Sequence, residues 1–325
     1  MKQIFWILLI LSSCNSPENH KDLVFDKVIH EVETNYAGFT DKTENNLEYY
    51  NYLKAKLYKD IYEAPDSEKE IIKKYLSFFK DKHLNISGRR TDYSPIKYEF
   101  EFIDKNTSYL KIPSFSNKSK VEDLIHQHSD EILSKSNLII DIRGNSGGSD
   151  GAFRKLLPII ATNDIYSRNI YFFATKDNCR NIEKSLGKNI WTKEIDGHFI
   201  PAPWLNNQND YLFKTHEVNY EVNEYPKQIA LIIDRNVASS GEQFVYYAMQ
   251  SRKVKVYGEN TSGCLDYSNC RIVDLYVDDM KLSIPTTKTR GLPINSIDYH
   301  GIAPDYFLNS EDQISQVMKY LNSWE

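Results

Sequence analysis

The chain has 325 residues and a formal net charge of −5, from 40 Lys and Arg against 45 Asp and Glu. Its 41% hydrophobic and 13% aromatic residues are enough to bury a core, which excludes a disordered chain. The slight excess of acidic over basic residues excludes a dedicated nucleic-acid binder. The chain also contains no run of 18 apolar residues, the length that would indicate a membrane span. The length predicts about two domains of a globular enzyme or binding protein.

A short apolar segment opens the chain. Lys2 gives it a positive start, and residues 4–11 are all apolar. As a helix these eight residues span about 12 Å, too little for the roughly 30 Å apolar core of a bilayer. The segment therefore predicts a secretory signal peptide rather than a membrane anchor. It ends in the sequence Leu11-Ser12-Ser13-Cys14.

That ending resembles the lipobox of bacterial lipoproteins, in which small residues precede a cysteine. The resemblance implies that Cys14 is diacylated and becomes the new N-terminus. Residues 1–14 would then be a lipoprotein signal, 15–20 a polar tether, and the body of the protein would lie in water at a membrane surface. An ordinary secretory signal with an unrelated cysteine is the alternative.

Helical periodicity marks the chain from residue 21 to residue 83, where apolar residues recur at steps of three and four. The three stripes are Phe25, Val28, Ile29, Val32 and Tyr36, then Leu47, Tyr50, Leu53, Leu57 and Ile61, then Ile71, Ile72, Tyr75, Leu76 and Phe79. This spacing predicts an N-terminal helical domain of about three helices over residues 21–92.

From residue 93 the pattern changes to strands that alternate with helices. Alternating or continuously apolar runs predict strands at 98–102, 109–112, 138–142 and 228–233. Helices are predicted at 118–134, 152–161 and 239–251. Such units indicate an α/β domain over 93–325, in which we interpret 163–225 as an insertion with a strand at 170–173.

Two polar turns lie between a predicted strand and a predicted helix. The first, Gly144-Asn145-Ser146-Gly147-Gly148, can point backbone N–H groups into a cleft. The second holds Ser239, whose hydroxyl would be held out from the sheet while the next amide, Ser240 N–H, stabilises an oxyanion. The alternative is that Ser239 only caps the helix, with Glu242 closing a capping box.

Four motifs in a fixed order resemble the tail-specific, or carboxy-terminal processing, serine peptidases and the core of the tricorn protease. They are the Gly-Asn-x-Gly-Gly turn, the Ser-x-Gly-Glu helix start at Ser239, Tyr257-Gly258-Glu259-Asn260-Thr261, and the closing Gly301-Ile302-Ala303-Pro304-Asp305. The resemblance covers residues 93–308. It implies a crotonase/ClpP-like α/β peptidase core after a small N-terminal helical bundle, with Ser239 as the nucleophile.

The sequence departs from the processing-peptidase branch at the base. That branch uses a Ser/Lys dyad, and Cys264 stands here where the Lys would be. The stretch between Thr91 and Ser108 is also too short for the peptide-binding PDZ module of that branch. Both departures favour the tricorn-like branch, which uses a His ahead of the core and an acid near its end.

The tricorn-like branch assigns the remaining catalytic roles. Asp81-Lys82-His83-Leu84 resembles the element that supplies the His, and Asp298 matches the acid, three residues before Gly301. The resemblance implies that His83 is the general base and Asp298 orients it. The amides of Ser240 and of Gly147 or Gly148 would form the oxyanion hole. Alternatives are Glu259 or Asp266 as the acid and His300 as the base.

Together these features predict a cell-envelope lipoprotein that hydrolyses peptides by a Ser/His/acid mechanism, attached to the membrane through Cys14. No metal, cofactor or nucleic acid is implied. Two other classes stay open: a catalytically inactive peptide-binding lipoprotein on the same fold, and an acyl-CoA enzyme of the crotonase type. A disulfide between Cys264 and Cys270 is compatible with an envelope compartment but is not required. The segment Asp266-Tyr267-Ser268-Asn269 is expected to line the cleft.

Overall fold

The computed structural model describes residues 17–64, 67–87, 96–204, 211–213, 223–309 and 312–323, with side chains from residue 24 onward and without those of 211–213. The predicted signal peptide, its Cys14 and the predicted domain boundary near residue 92 lie outside the described residues. Within the described residues, no helix is both long enough and apolar enough to cross a membrane.

Helices form the first part of the chain, as the periodicity predicted. They are α1 (Pro17–Asn35), α2 (Phe39–Thr43), α3 (Leu47–Glu63) and α4 (Glu68–Ser77). Helix α1 begins inside the segment predicted as a tether, so residues 17–20 are helical. The short helix α2 was not predicted, because five residues are too few to show a periodic stripe.

The rest of the described chain alternates strands and helices. Its first half contains β1 (Asn85–Ser87), β2 (Glu99–Phe102), β3 (Thr107–Lys111), α5 (Lys118–Gln127), α6 (Ser129–Leu133), β4 (Asn137–Asp141), α7 (Leu157–Ile160), β5 (Ile165–Tyr166) and β6 (Ile170–Ala174). Its second half contains α8 (Lys176–Leu186), β7 (His198–Pro201), β8 (Tyr211–Phe213), β9 (Gln228–Ile233), α9 (Ser240–Ala248), β10 (Val254–Gly258), β11 (Tyr267–Asp274), β12 (Lys281–Thr289), β13 (Tyr306–Phe307) and α10 (Gln313–Asn322).

A six-stranded sheet forms the centre of the core, in the order β13-β10-β9-β4-β3-β2. Neighbouring strands are parallel except β2, which is antiparallel to β3. Apolar side chains of α5, α7 and α9 pack on one face and those of α10 on the other. Because both faces are covered, β4 and β9 are almost continuously apolar, which is why the sequence revealed them.

A second, antiparallel sheet joins the helical segment to the core. Its order is β1-β12-β6-β7, and β11 also pairs with β12. Helices α1, α3 and α4 pack against β11 and β12 in one apolar cluster. The segment interpreted as an insertion therefore supplies two strands, β6 and β7, to a sheet that the rest of the chain shares. This packing brings the turn after α4 beside the start of β11.

Candidate active site

Ser239 lies where the chain turns from β9 into α9. Its backbone φ is +53°, in the region that L residues rarely adopt. Strain at a strand-to-helix turn is typical of an exposed nucleophile. Two hydrogen bonds hold the turn, since Ser239 N–H donates to Cys264 O at 3.1 Å and Ala238 N–H donates to Asn145 O at 3.0 Å. The residue predicted as nucleophile thus has a strained and fixed backbone.

Glu242 accounts for the Ser-x-x-Glu signature. Ser239 and Glu242 form the reciprocal capping box, with Ser239 N–H 3.3 Å from Glu242 Oε2, so the alternative role of Ser239 as a cap is present. The fully buried carboxylate also accepts Thr261 Oγ–H at 2.6 Å, Gly263 N–H at 2.7 Å and Cys264 N–H at 2.7 Å. With four donors on its carboxylate, Glu242 anchors the start of α9 to the following loop.

The glycine turn lies directly against Ser239. Gly147 has φ +100°, and a Cβ placed there would lie 2.8 Å from Ser239 Cβ and 3.0 Å from Ser240 N. Gly148, at φ +141°, forms a parallel bridge to Phe115, and a Cβ there would lie 2.3 Å from the Phe115 carbonyl carbon. Only glycine fits this close approach of three backbone segments.

Two backbone amides at this junction have no hydrogen-bond partner in the part of the chain that the structure describes. Gly147 N–H donates to Asn145 Oδ1 at 2.9 Å, and Asn145 Nδ2–H donates to Ile112 O at 2.9 Å, so the first glycine amide is occupied. Among the described residues, neither Gly148 N–H nor Ser240 N–H has a hydrogen-bond partner. Of the amides predicted for an oxyanion hole, those of Gly148 and Ser240 are available to a ligand.

His83 lies in the turn after α4, which Asp81 holds in place. His83 N–H donates to Asp81 Oδ1 at 2.8 Å, and Tyr36 O–H donates to Asp81 Oδ2 at 2.8 Å. The His83 ring places Nδ1 2.7 Å from the carbonyl oxygen of Tyr267. A carbonyl only accepts, so Nδ1 carries the proton and Nε2 keeps its lone pair. Burial lowers the pKa of His83 below its usual value, and the Tyr267 carbonyl and the Asp298 charge oppose that shift.

Asp298 is buried beside Asp266 rather than bonded to His83. Its Oδ1 accepts Asp266 N–H at 3.1 Å, while Asp298 N–H donates to Asp266 Oδ2 at 2.9 Å. Its Oδ2 lies 3.5 Å from Lys42 Nζ in an ion pair. Burial raises the pKa of Asp298 to about 7, and the charges of Asp81 and Asp266 add to the shift while Lys42 opposes it.

The segment 264–267 contacts all three predicted catalytic residues. Cys264 O accepts Ser239 N–H, Asp266 N–H donates to Asp298, and Tyr267 O contacts the His83 ring. In the part of the chain that the structure describes, no hydrogen bond joins Ser239 to His83 or His83 to Asp298. The structure therefore gathers the three residues around one segment without linking them directly.

The alternative acids and base have other partners. Glu259 lies 2.6 Å from the exposed Arg235 Nη2. The buried Asp266 accepts Ser296 Oγ–H at 2.7 Å and pairs with Arg168. His300 is exposed, and its carbonyl accepts Asn260 Nδ2–H at 3.0 Å. None of these four contacts involves His83 or Ser239.

The cysteines of the described chain are free thiols: Cys179, Cys264 and Cys270. Burial raises the pKa of the Cys264 thiol well above its usual value, which keeps it protonated and unreactive. Cys270 Sγ lies 3.9 Å from His83 O. Within the described residues, no group of three or more His, Cys, Asp or Glu side chains is placed to hold a metal ion.

Two basic residues at the site were not found from the sequence. Lys42, on α2, pairs with Asp298, and its Nζ lies 5.0 Å from the centre of the Tyr267 ring. Arg168 follows β5 and pairs with Asp266 through Nη2 at 3.1 Å. Neither lies in a motif, and both reach the site only through tertiary packing.

Comparison with known proteins identifies the family. Residues 106–308, more than half of the chain, match the model of Peptidase family S41. The chain belongs to Peptidase family S41. This match confirms the relationship to the tail-specific serine peptidases that the motifs predicted. It covers Ser239 and Asp298, while His83 lies before the matched residues.

Two solved structures resemble almost the whole chain. A lipoprotein from Streptococcus agalactiae is 16% identical, with a TM-score of 0.51 and coverage of 98% of this chain and 99% of that chain. A putative peptidase from Parabacteroides merdae is 16% identical, with a TM-score of 0.55 and coverage of 95% and 97%. These similarities concern the fold alone. The predicted α/β peptidase fold with preceding helices is confirmed.

Proposed function

We propose that this S41 family member is a serine peptidase that hydrolyses peptides or unfolded protein segments. Ser239 Oγ attacks the peptide carbonyl, and Nε2 of His83 takes the hydroxyl proton and later gives it to the leaving amine. Asp298 stabilises the imidazolium through its charge. The amides of Gly148 and Ser240 hold the oxyanion.

The observation that supports this proposal most is the pair of free amides beside a strained Ser239. The Ser240 amide belongs to a buried residue, where an unpaired N–H costs roughly 1–3 kcal/mol, and the amide of the exposed Gly148 is open to a ligand. The amide of the residue after the nucleophile, together with an amide from a neighbouring loop, is the donor set that an acyl-transfer intermediate requires. The contact between His83 Nδ1 and Tyr267 O also supports the proposal, because it keeps the neutral ring in the tautomer whose Nε2 can accept a proton.

A fluorophosphonate probe tests the proposal, because only an activated serine is labelled. We expect labelling of the wild type and none of Ser239→Ala. Ser134→Ala is the matched control, since that hydroxyl bonds Glu131 O on a distant helix, and it should label normally. Labelling that persists in Ser239→Ala but is lost in Ser240→Ala would place the nucleophile one residue later.

One observation favours a second candidate, a peptide-binding protein that does not hydrolyse. Among the described residues, Ser239 has no hydrogen bond to His83, so the base is not engaged. Absence of labelling in the wild type, together with binding of an unfolded protein segment, would support this candidate over the peptidase.

We propose further that the protein is a cell-envelope lipoprotein attached through Cys14. The proposal rests on the Leu11-Ser12-Ser13-Cys14 motif, and a protein of similar fold from Streptococcus agalactiae is described as a lipoprotein. Two acyl chains bury enough CH₂ groups, at about 0.8 kcal/mol each, for stable attachment. Cys14→Ser should release the protein from the membrane fraction or leave an uncleaved precursor. Unchanged fractionation would refute the assignment.

A further inference from the structure

Arg168 has a buried nitrogen with no partner. Its side chain is only 8% exposed, and Nη2 pairs with Asp266 Oδ1 at 3.1 Å. The guanidinium carbon lies 5.4 Å from the centre of the Tyr246 ring. Nη1 is buried and has no hydrogen-bond partner in the described structure. Asp266 thus holds Nη2 of the guanidinium, while the Nη1 donor has no partner in the described structure.

The segment that carries Arg168 lies along α9, the helix that begins after Ser239. Tyr166 N–H donates to Gln250 Oε1 at 2.8 Å, and Gln250 Nε2–H donates to Tyr166 O at 3.0 Å. Two residues later Arg168 lies over Tyr246, one helical turn nearer the start of α9. Its partner Asp266 comes two residues after Cys264, whose carbonyl holds Ser239 N–H.

A second unpaired donor lies on α9, between Tyr246 and the nucleophile. Gln243 is 8% exposed, and its Nε2 is buried without a hydrogen-bond partner in the described structure. Ser239, Gln243 and Tyr246 are spaced by four and three residues, which places them along one face of α9. Two unpaired donors therefore lie along the helix that begins after Ser239: one from Arg168, which lies over Tyr246, and one from Gln243, one turn earlier.

The chemistry of these donors selects their ligand. Both groups donate, and one is a cation, so the group that completes them is an acceptor and preferably an anion. Guanidinium forks match carboxylates in geometry and charge. Asp266 cannot supply the missing acceptor, because its Oδ2 already accepts Ser296 Oγ–H, Ile297 N–H and Asp298 N–H at 2.7 to 2.9 Å. Its role is to hold Arg168 in place.

We propose that Arg168 Nη1 and Gln243 Nε2 form a carboxylate subsite beside Ser239. The inference rests on the proposed peptidase function and specifies its substrate class: peptides with an acidic side chain, or a free terminal carboxylate, near the cleaved bond. Loss of a partner for a buried donor pair typically changes selectivity by an order of magnitude or more. The subsite therefore determines which peptides are bound and cleaved.

Matched fluorogenic peptides test the subsite. Each pair differs by Glu against Gln at one position, scanned across the peptide, and each peptide is made with a free-acid and an amidated C-terminus. We expect at least about a tenfold preference in kcat/KM for one carboxylate over its amide. A preference for Glu identifies a side chain as the ligand, and a preference for the free acid identifies the chain terminus. Equal rates for all pairs would overturn the subsite.

Variants connect the preference to the two donors. Arg168→Gln and, separately, Gln243→Met should bring the ratio of acid to amide rates close to one. Arg180→Gln is the matched control, because Arg180 is an exposed arginine of α8 that pairs with Asp177 at 3.7 Å, and it should keep the wild-type ratio. Fluorophosphonate labelling of Ser239 shows that each variant is folded. A preference that persists in both folded variants would overturn the assignment.

A binding measurement separates this inference from the proposed function. In Ser239→Ala, fluorescence anisotropy should show tighter binding of the preferred acid peptide than of its amide. The difference should vanish in Ser239→Ala/Arg168→Gln. If the wild type neither labels nor hydrolyses while this binding difference is found, the peptidase proposal fails and the subsite stands. If labelling succeeds and acid and amide peptides bind equally, the subsite alone fails.

Discussion

The carbonyl oxygen of Tyr267 lies 2.7 Å from Nδ1 of His83 and takes the place that a triad gives to a carboxylate. Such a contact fixes the tautomer as well as a carboxylate does, because either group accepts a hydrogen bond from Nδ1–H. The Tyr267 carbonyl carries no full negative charge that would stabilise the imidazolium. Negative charge acts on His83 through space, from Asp298 and, to a smaller extent, from Glu242.

The first prediction concerns the pH dependence of hydrolysis. His83 must be neutral to accept a proton, and burial lowers its pKa from the usual value near 6.5. We expect kcat/KM to be lost as the pH falls through a value below 6.5. In Asp298→Asn the loss should occur at nearly the same pH, because Asp298 has a pKa of about 7 and is mostly protonated where His83 titrates. A pH–rate profile of both proteins measures this, and an acidic limb above pH 8 would contradict it.

The second prediction concerns stability. Burial raises the pKa of Asp298 to about 7 in the folded protein, against roughly 3.9 in an unfolded chain. Between these values the folded state binds more protons, so this group makes the protein less stable as the pH rises from 4 to 7. Asp298→Asn removes the ionisation. Its melting temperature should exceed that of the wild type by at least about 3 °C at pH 8, and the difference should shrink toward pH 4. Equal differences at both pH values would show that Asp298 is not forced to ionise in a buried site.

The third prediction concerns the glycine turn. Gly147→Ala would place a methyl group 2.8 Å from Ser239 Cβ and 3.0 Å from Ser240 N, so the turn must shift. We expect kcat to fall about 100-fold or more, because the oxyanion donors move with the turn. Gly187→Ala is the matched control: it has a similar positive φ of +63° but nothing within 4 Å. It should lower stability slightly and leave kcat unchanged, and equal losses of kcat in both variants would refute the steric argument.

The sequence predicted the nucleophile turn because several signals coincide there. All of these signals come from residues that are close in sequence: the apolar β9, the polar turn, and the spacing from Ser239 to Glu242. The partner of His83 could not be predicted in this way, since any residue at position 267 supplies a carbonyl. Lys42 and Arg168 likewise reach the site only through the packing of distant elements.

The elements missed from the sequence have unusual polarity. Strand β11 buries Arg271, which forms an ion pair with Glu31, and exposes Ile272 by 57%. This pattern hides the alternation on which strand prediction depends. Helix α8 has only a sparse apolar stripe, Cys179, Ile182 and Leu186, and it also buries the polar Asn178, whose amide donates to the carbonyls of Asn35 and Phe173. Polar groups satisfied by tertiary contacts leave no hydrophobic signal.

The last prediction distinguishes a His base from a Lys base. Lys42 contributes an amine to the site, 3.5 Å from Asp298 Oδ2. If Lys42 is only the counter-charge of Asp298, Lys42→Arg should keep kcat/KM within about tenfold of the wild type, because arginine preserves the charge. Lys42→Met should lose more, since Asp298 then lacks a cation. If Lys42 is the base, Lys42→Arg must be inactive at every pH, because a guanidinium does not give up its proton in proteins. An inactive Lys42→Arg beside an active His83→Ala would therefore replace the His mechanism with a Ser/Lys dyad, and the reverse result would exclude that dyad.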